Sequence, residues 1–177
     1  MHDVGARRWV IGLLAAVVLV NHHPVAGRQA SAGEWPKVQI GDPATRDAAK
    51  RALTAASDWL AHPKCAPLFA EFQDASGIPL QERLRQLETT PQGYLELVFF
   101  FDGAQHPTCR RDGVLAFSAV GSRMVYLCGR ELERAWKRDR REVQATIIHE
   151  MLHSLGLGEN PPAPRYITDR VKQRCWQ

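Results

Sequence analysis

His149-Glu150-Met151-Leu152-His153-Ser154-Leu155-Gly156-Leu157-Gly158-Glu159 is the stretch from which the rest of the chain is read. On a helix its two histidines, four positions apart, lie about 40° apart around the axis and one turn apart along it. Two imidazoles on one face can share one metal ion. Glu150 projects about 100° away from His149, beside such an ion rather than on it. Val143, Ile147, Ile148, Met151 and Leu155 fall on the far side of the same helix. Glu142, Ala145, Thr146, His153 and Gly156 fall on the histidine side. The spacing predicts a helix with one face in a core and the opposite face lining a cleft. Gln144 interrupts the apolar side without an evident partner.

Downstream, Pro161-Pro162-Ala163-Pro164 reads as a stiff connector that cannot be helical throughout. It leads into a last helix on which Ile167, Val171 and Cys175 form one buried stripe and Asp169 points about 200° from Ile167, toward solvent. Upstream, the segment 129–142 interleaves six Lys/Arg with four Asp/Glu. That mixture reads as a solvated helical face rather than a nucleic-acid surface, with Leu132 and Trp136 as its buried edge. Before it, Tyr94–Phe101 reads as a strand buried on both faces. Val114–Val120 and Met124–Cys128 flank Gly121-Ser122 as a hairpin with a two-residue primed turn.

The first half of the chain reads as scaffold. Asp42-Pro43 is an N-cap followed by proline at the first helical position. Ala48, Ala52, Leu53, Ala56, Trp59 and Leu60 continue at helical spacing until Pro63. Cys65–Ala75 and Pro79–Glu88 are two shorter predicted helices, the second with Leu80, Leu84 and Leu87 on one side. The fold class expected from these segments is α+β, a small antiparallel sheet packed with helices.

Residues 1–32 carry the pattern of a secretory signal. Arg7-Arg8 precede the twelve-residue apolar run Trp9–Val20, and Ala30-Ser31-Ala32 is the leading cleavage match, with Val25-Ala26-Gly27 second. The run is short for a permanent span. Retention as an uncleaved anchor is the alternative, and the arginine pair fits a twin-arginine signal poorly. One domain, residues 33–177, remains, with no separate pro-segment or partner domain expected. The whole chain carries +4, and removing three Arg and one Asp with the signal leaves +2. That charge gives no basis for a nucleic-acid or anionic-membrane partner. Cys65, Cys109, Cys128 and Cys175 all lie after the signal. An even number in an exported chain, with no C-x-x-C spacing, predicts disulfides rather than a thiolate metal site. Of three pairings, Cys109 with Cys128 and Cys65 with Cys175 are expected.

The H-E-x-x-H helix resembles the zincin metallopeptidases, and its extension to Gly156 is similar to the metzincin clan. There a glycine turns the chain so that a third ligand, usually His and sometimes Asp, returns to the metal. Glu159 holds that place here. A strand ending at Tyr126-Leu127-Cys128, a charged stretch and then the metal helix also look like small secreted zincins of the deuterolysin type. The resemblance covers 124–159 only. It departs from the metzincins in having Glu as third ligand and in lacking a methionine after Met151.

The resemblance implies one Zn²⁺ held by His149, His153 and Glu159, with Glu150 as general base in hydrolysis of peptide bonds. His106, in a loop, and Asp169, on the last helix, are the rival third ligands. Tyr166 and His106 are candidates for oxyanion or substrate contacts. A peptide or protein substrate is expected to pair with an exposed sheet edge at Val114–Val120. The expected protein is a periplasmic or extracellular monomer without a stable membrane span after signal cleavage. Two other readings stay open: a non-catalytic exported module in which zinc holds the fold, and a zinc hydrolase of a non-peptide amide.

Overall fold

A computed structural model describes residues Trp35–Trp176, all of them within one compact unit. The expected signal and both of its cleavage sites lie outside the described residues. The helix expected after Asp42 is α1, Pro43–Ala61. Its cap is made by the Asp42 carboxylate, which accepts from the Thr45 N–H at 2.8 Å. At its far end the His62 N–H closes the last turn on the Trp59 carbonyl before Pro63 stops the helix. Ala48, Ala52, Leu53, Ala56, Trp59 and Leu60 are all buried, each large apolar member contributing about 1.5–3 kcal/mol on leaving water.

Between α1 and the sheet the chain is more broken than its apolar spacing predicts. Cys65–Ala75 is not one helix but a 3₁₀ turn, Pro63–Cys65, followed by α2, Leu68–Glu71. Pro67 between them offers no N–H to continue the first turn. Gln73 and Asp74 then form isolated bridges to Pro79 and Leu157. In α3, Leu80–Gln86, Leu80 and Leu84 are buried but Leu87 lies past the helix end, 43 % exposed.

The fold is α+β, as expected, but its sheet is mixed rather than antiparallel. The strands are β1 (Val38–Gln39), β2 (Phe99–Asp102), β3 (Ala116–Ser118) and β4 (Met124–Leu127), in the order β1-β2-β4-β3. β2 runs parallel to both β1 and β4; only β3 is antiparallel, to β4. The run expected as one strand from Tyr94 is divided. α4, Pro91–Leu95, takes its first part because Thr90 caps it through the Gly93 N–H and Pro91 occupies its first turn. Nor is β2 buried on both faces: Phe100 is in the core while Phe99 is 37 % exposed. Phe99, Phe101, Tyr126 and Phe117 form a row of ring contacts on the outer face, because the helices cover only the inner one.

The β3–β4 hairpin exists, with a longer turn than predicted. Pairing ends at Ser118–Val125, and the turn is Ala119–Ser122, closed by the Ser122 N–H on the Ala119 carbonyl at 2.9 Å. Gly121, third in that turn, has φ +77°, the position at which a type II turn requires a positive φ. The charged segment becomes α5, Gly129–Arg138, and the start of α6, Arg140–Ser154. Leu132 is buried and Trp136 packs at the core margin, as expected. Asp139 breaks the two helices apart and caps α6, accepting from the Arg141 and Glu142 N–H groups at 3.0 and 3.2 Å. α7, Pro164–Cys175, buries Ile167, Val171 and Cys175 completely.

Both expected disulfides are present, Cys109–Cys128 and Cys65–Cys175. Among the described residues no helix is long and apolar enough to cross a membrane. The two disulfides fit an exported protein.

Candidate metal centre

The second half of α6 is buried on more than its apolar face, which the amphipathic pattern does not predict. Every residue from Ile147 to Ser154 is buried, because α1, β3, β4, α5 and α7 all pack against this helix. The cleft it borders has a volume of about 440 Å³. Glu142, Thr146, His149, Glu150 and His153 line it from α6, the histidine side of the helix as expected. β3 and the loop before it form the opposite wall, and Thr168 and Glu159 close the end.

Gly156 turns the chain out of the helix. Its φ is +111°, and a Cβ there would stand 3.0 Å from the Asp74 Cβ, so both backbone conformation and space favour glycine. The turn sends Glu159 back over the two imidazoles. Glu159 Oε1 lies 3.3 Å from His153 Nε2 and 3.7 Å from His149 Nε2, and the two Nε2 atoms are 2.9 Å apart. These three residues are a group that could hold a metal ion, their ligand atoms within 4.8 Å of one another.

The donor set fits such an ion. Atoms at ~2.0–2.1 Å from a tetrahedral centre lie ~3.3 Å from each other, a spacing that the three observed separations bracket. Hydrogen bonding orients the rings suitably. His153 Nδ1 is 2.7 Å from the Leu157 carbonyl, which can only accept, so in the neutral ring the hydrogen sits on Nδ1 and the Nε2 lone pair faces His149. His149 Nδ1 is 2.9 Å from Thr168 Oγ1. The tautomer that donates to this hydroxyl turns its own Nε2 lone pair into the same space. In the other tautomer His149 Nε2–H donates to His153 Nε2 across the same 2.9 Å while its Nδ1 accepts from the Thr168 hydroxyl, so a cation bound here takes the place of the one proton the two rings share. Burial, and secondarily the charge of His153, lower the His149 pKa from 6.5 to about 3, which keeps this ring neutral, the form that binds metal.

Glu150 is 6 % exposed, and its Oε2 accepts from Ser118 Oγ at 2.7 Å. Burial raises its pKa, and the Ser118 hydrogen bond opposes that rise by favouring the carboxylate. The site therefore has a carboxylate beside the metal group and fixed to the edge strand β3.

The other candidates are elsewhere. His106 caps the 3₁₀ turn Pro107–Arg110 through the Thr108 N–H and packs at a tilt on Phe117, 4.4 Å between centroids, on the outer face of the sheet. Asp169 faces solvent, as predicted, 3.8 Å from Arg165. Tyr166 is 54 % exposed and meets Phe72 edge-on. Neither rival ligand nor the proposed oxyanion partner reaches the cleft. Three contributors were not foreseen: Ser118, Thr168 and the Leu157 carbonyl. Thr168 is next in sequence to Asp169, so the last helix does serve the site, from about 100° further round its axis. Nothing local marks Ser118, since its role exists only once β3 lies across α6.

Comparison of the chain with protein-family models, with curated proteins and with solved structures returned no match.

Proposed function

We propose that this protein is an exported zinc-dependent peptidase of zincin type. The observation that carries the reading is the convergence of His149, His153 and Glu159 around one small space with the buried Glu150 carboxylate beside it in an open cleft. Three protein ligands beside a cleft are the pattern of a catalytic site; a structural zinc usually takes four. When bound, zinc lowers the pKa of a coordinated water toward ~7 and polarises a substrate carbonyl.

The chain's own residues supply the rest. Glu150 takes a proton from water in the cleft and returns it to the leaving amine. Its burial raises its pKa, which makes it a stronger base once ionised, while Ser118 holds the carboxylate in place. Thr168 and the Leu157 carbonyl orient the two imidazoles. β3 is an edge strand lining the cleft, and its unpaired side can take an extended peptide by main-chain hydrogen bonds.

Glu150→Gln separates binding from chemistry. The variant is expected to retain one zinc per chain by elemental analysis and to lose hydrolysis of a denatured-protein substrate. Cleavage at the wild-type rate sinks the mechanism; absence of zinc from the wild-type protein sinks the cofactor assignment.

A further inference from the structure

On the far side of the β3–β4 turn from the metal cleft lies a second concavity of about 390 Å³. Val120, 51 % exposed, lines both. The turn is fastened to the metal helix by the Gly121 N–H, which donates to the His153 carbonyl at 2.8 Å. A peptide paired along the free edge of β3 and leaving the cleft past Ser118 therefore meets Val120 and then this concavity. That approach rests on the peptidase reading above.

Three charged residues line the concavity: Asp74, Arg83 and Arg123. Asp74 is already committed. Its Oδ1 accepts from the Ser76 and Ile78 N–H groups at 2.8 and 2.9 Å, and its Oδ2 accepts from Arg83 Nε at 2.5 Å. Arg83 is neutralised by that pair. Arg123 is different. Its guanidinium lies 5.7 Å from the centroid of the Tyr94 ring, and among the described residues no carboxylate pairs with it. Tyr94 is itself fixed, buried and donating its hydroxyl to the Ser154 carbonyl at 2.9 Å. An arginine held against an aromatic ring is weakly hydrated and offers a planar fork that matches a carboxylate. Exposed Leu87 and Val120 supply apolar walls beside it.

We propose that this concavity is a substrate subsite for a carboxylate, read by Arg123. The carboxylate can come from an Asp or Glu side chain a few residues from the scissile bond, or from the C-terminus of a short peptide. Fluorescein-labelled alanine-rich dodecapeptides with one Glu or Gln moved along the chain, each with free and amidated C-termini, distinguish the two sources.

With zinc-loaded wild type, one Glu position, or the free C-terminus, is expected to raise kcat/KM about fivefold over its neutral counterpart. Arg123→Glu is expected to abolish or invert that ratio. Arg123→Gln, a milder change, is expected to bring it to about one and serves if the reversal impairs folding. Anisotropy binding of the same peptides to Glu150→Gln reads the subsite without hydrolysis. Cleavage or binding with equal ratios in wild type and both Arg123 variants overturns the subsite and leaves the peptidase reading intact. Carboxylate-selective binding without any cleavage does the reverse.

Discussion

At the scale of single residues, the site depends on hydrogen bonds that hold donors and acceptors in fixed roles. Thr168 is 19 positions from His149 in sequence and 2.9 Å from its ring. Thr168→Val removes the hydroxyl at nearly constant volume and is expected to weaken affinity for the proposed zinc about tenfold, measured by competition with a chromophoric chelator; unchanged affinity would show that the hydroxyl does not orient the ring. Ser118 favours the ionised form of Glu150. Ser118→Ala should therefore raise the pKa of that carboxylate and move the acid limb of the kcat/KM profile to higher pH. His149 links the site to stability. In the metal-free protein its folded pKa of about 3 lies below the ordinary 6.5, so only the unfolded chain takes up a proton between those values. Stability is therefore lost as pH falls from about 6.5 toward 3, by at most ~1.4 kcal/mol per pH unit from this group. Urea midpoints of chelator-treated protein at pH 7 and pH 5 check it, and a difference that persists undiminished in His149→Gln would assign the loss elsewhere.

At the scale of elements, what matters is how α6 begins and ends. Asp139 satisfies two free N–H groups at its start, and Asp139→Ala is expected to lower stability by ~1 kcal/mol with the metal site intact. At the other end, Gly156→Ala forces a side chain against Asp74 and into an unfavourable backbone region. It is expected to cost about 1–3 kcal/mol and, unlike the cap substitution, to weaken metal affinity, because Leu157 follows directly and its carbonyl orients His153. Thermal melts and chelator titrations on the two variants separate these effects. Elements with strong local signals were legible in the chain: α1 from Asp42-Pro43 to Pro63, α7 from its Ile167, Val171 and Cys175 stripe, and the hairpin from its glycine. The helix α4 was not, because Tyr94 and Leu95 fit an apolar strand as readily as a helix, and the cap at Thr90 lies before the apolar run begins.

For the whole molecule, the disulfides act over unequal distances. Cys65–Cys175 joins residues separated by 110 positions and Cys109–Cys128 by 19. Loop-closure entropy predicts that replacing the first pair with serines costs more than replacing the second, about 4–5 against ~3 kcal/mol, a ranking that urea denaturation tests. The mixed sheet belongs to this scale too. Strand direction between β2 and β4 depends on how the intervening chain crosses, which no periodicity records. The amino-acid sequence by itself determined the pair of histidines on one helical face and the glycine after them, and it narrowed the cysteine pairing to three possibilities and the third ligand to Glu159, His106 or Asp169. Helical spacing and a turn of a few residues fix the first two, and the short list of cysteines and nearby ligands limits the rest. Only the tertiary structure decided which cysteines pair, that Glu159 rather than His106 or Asp169 returns to the two imidazoles, that Thr168 and Ser118 support the site while Tyr166 does not, and that the second half of α6 is buried. Those outcomes depend on contacts between segments far apart in the chain, where packing rather than local spacing chooses the neighbour.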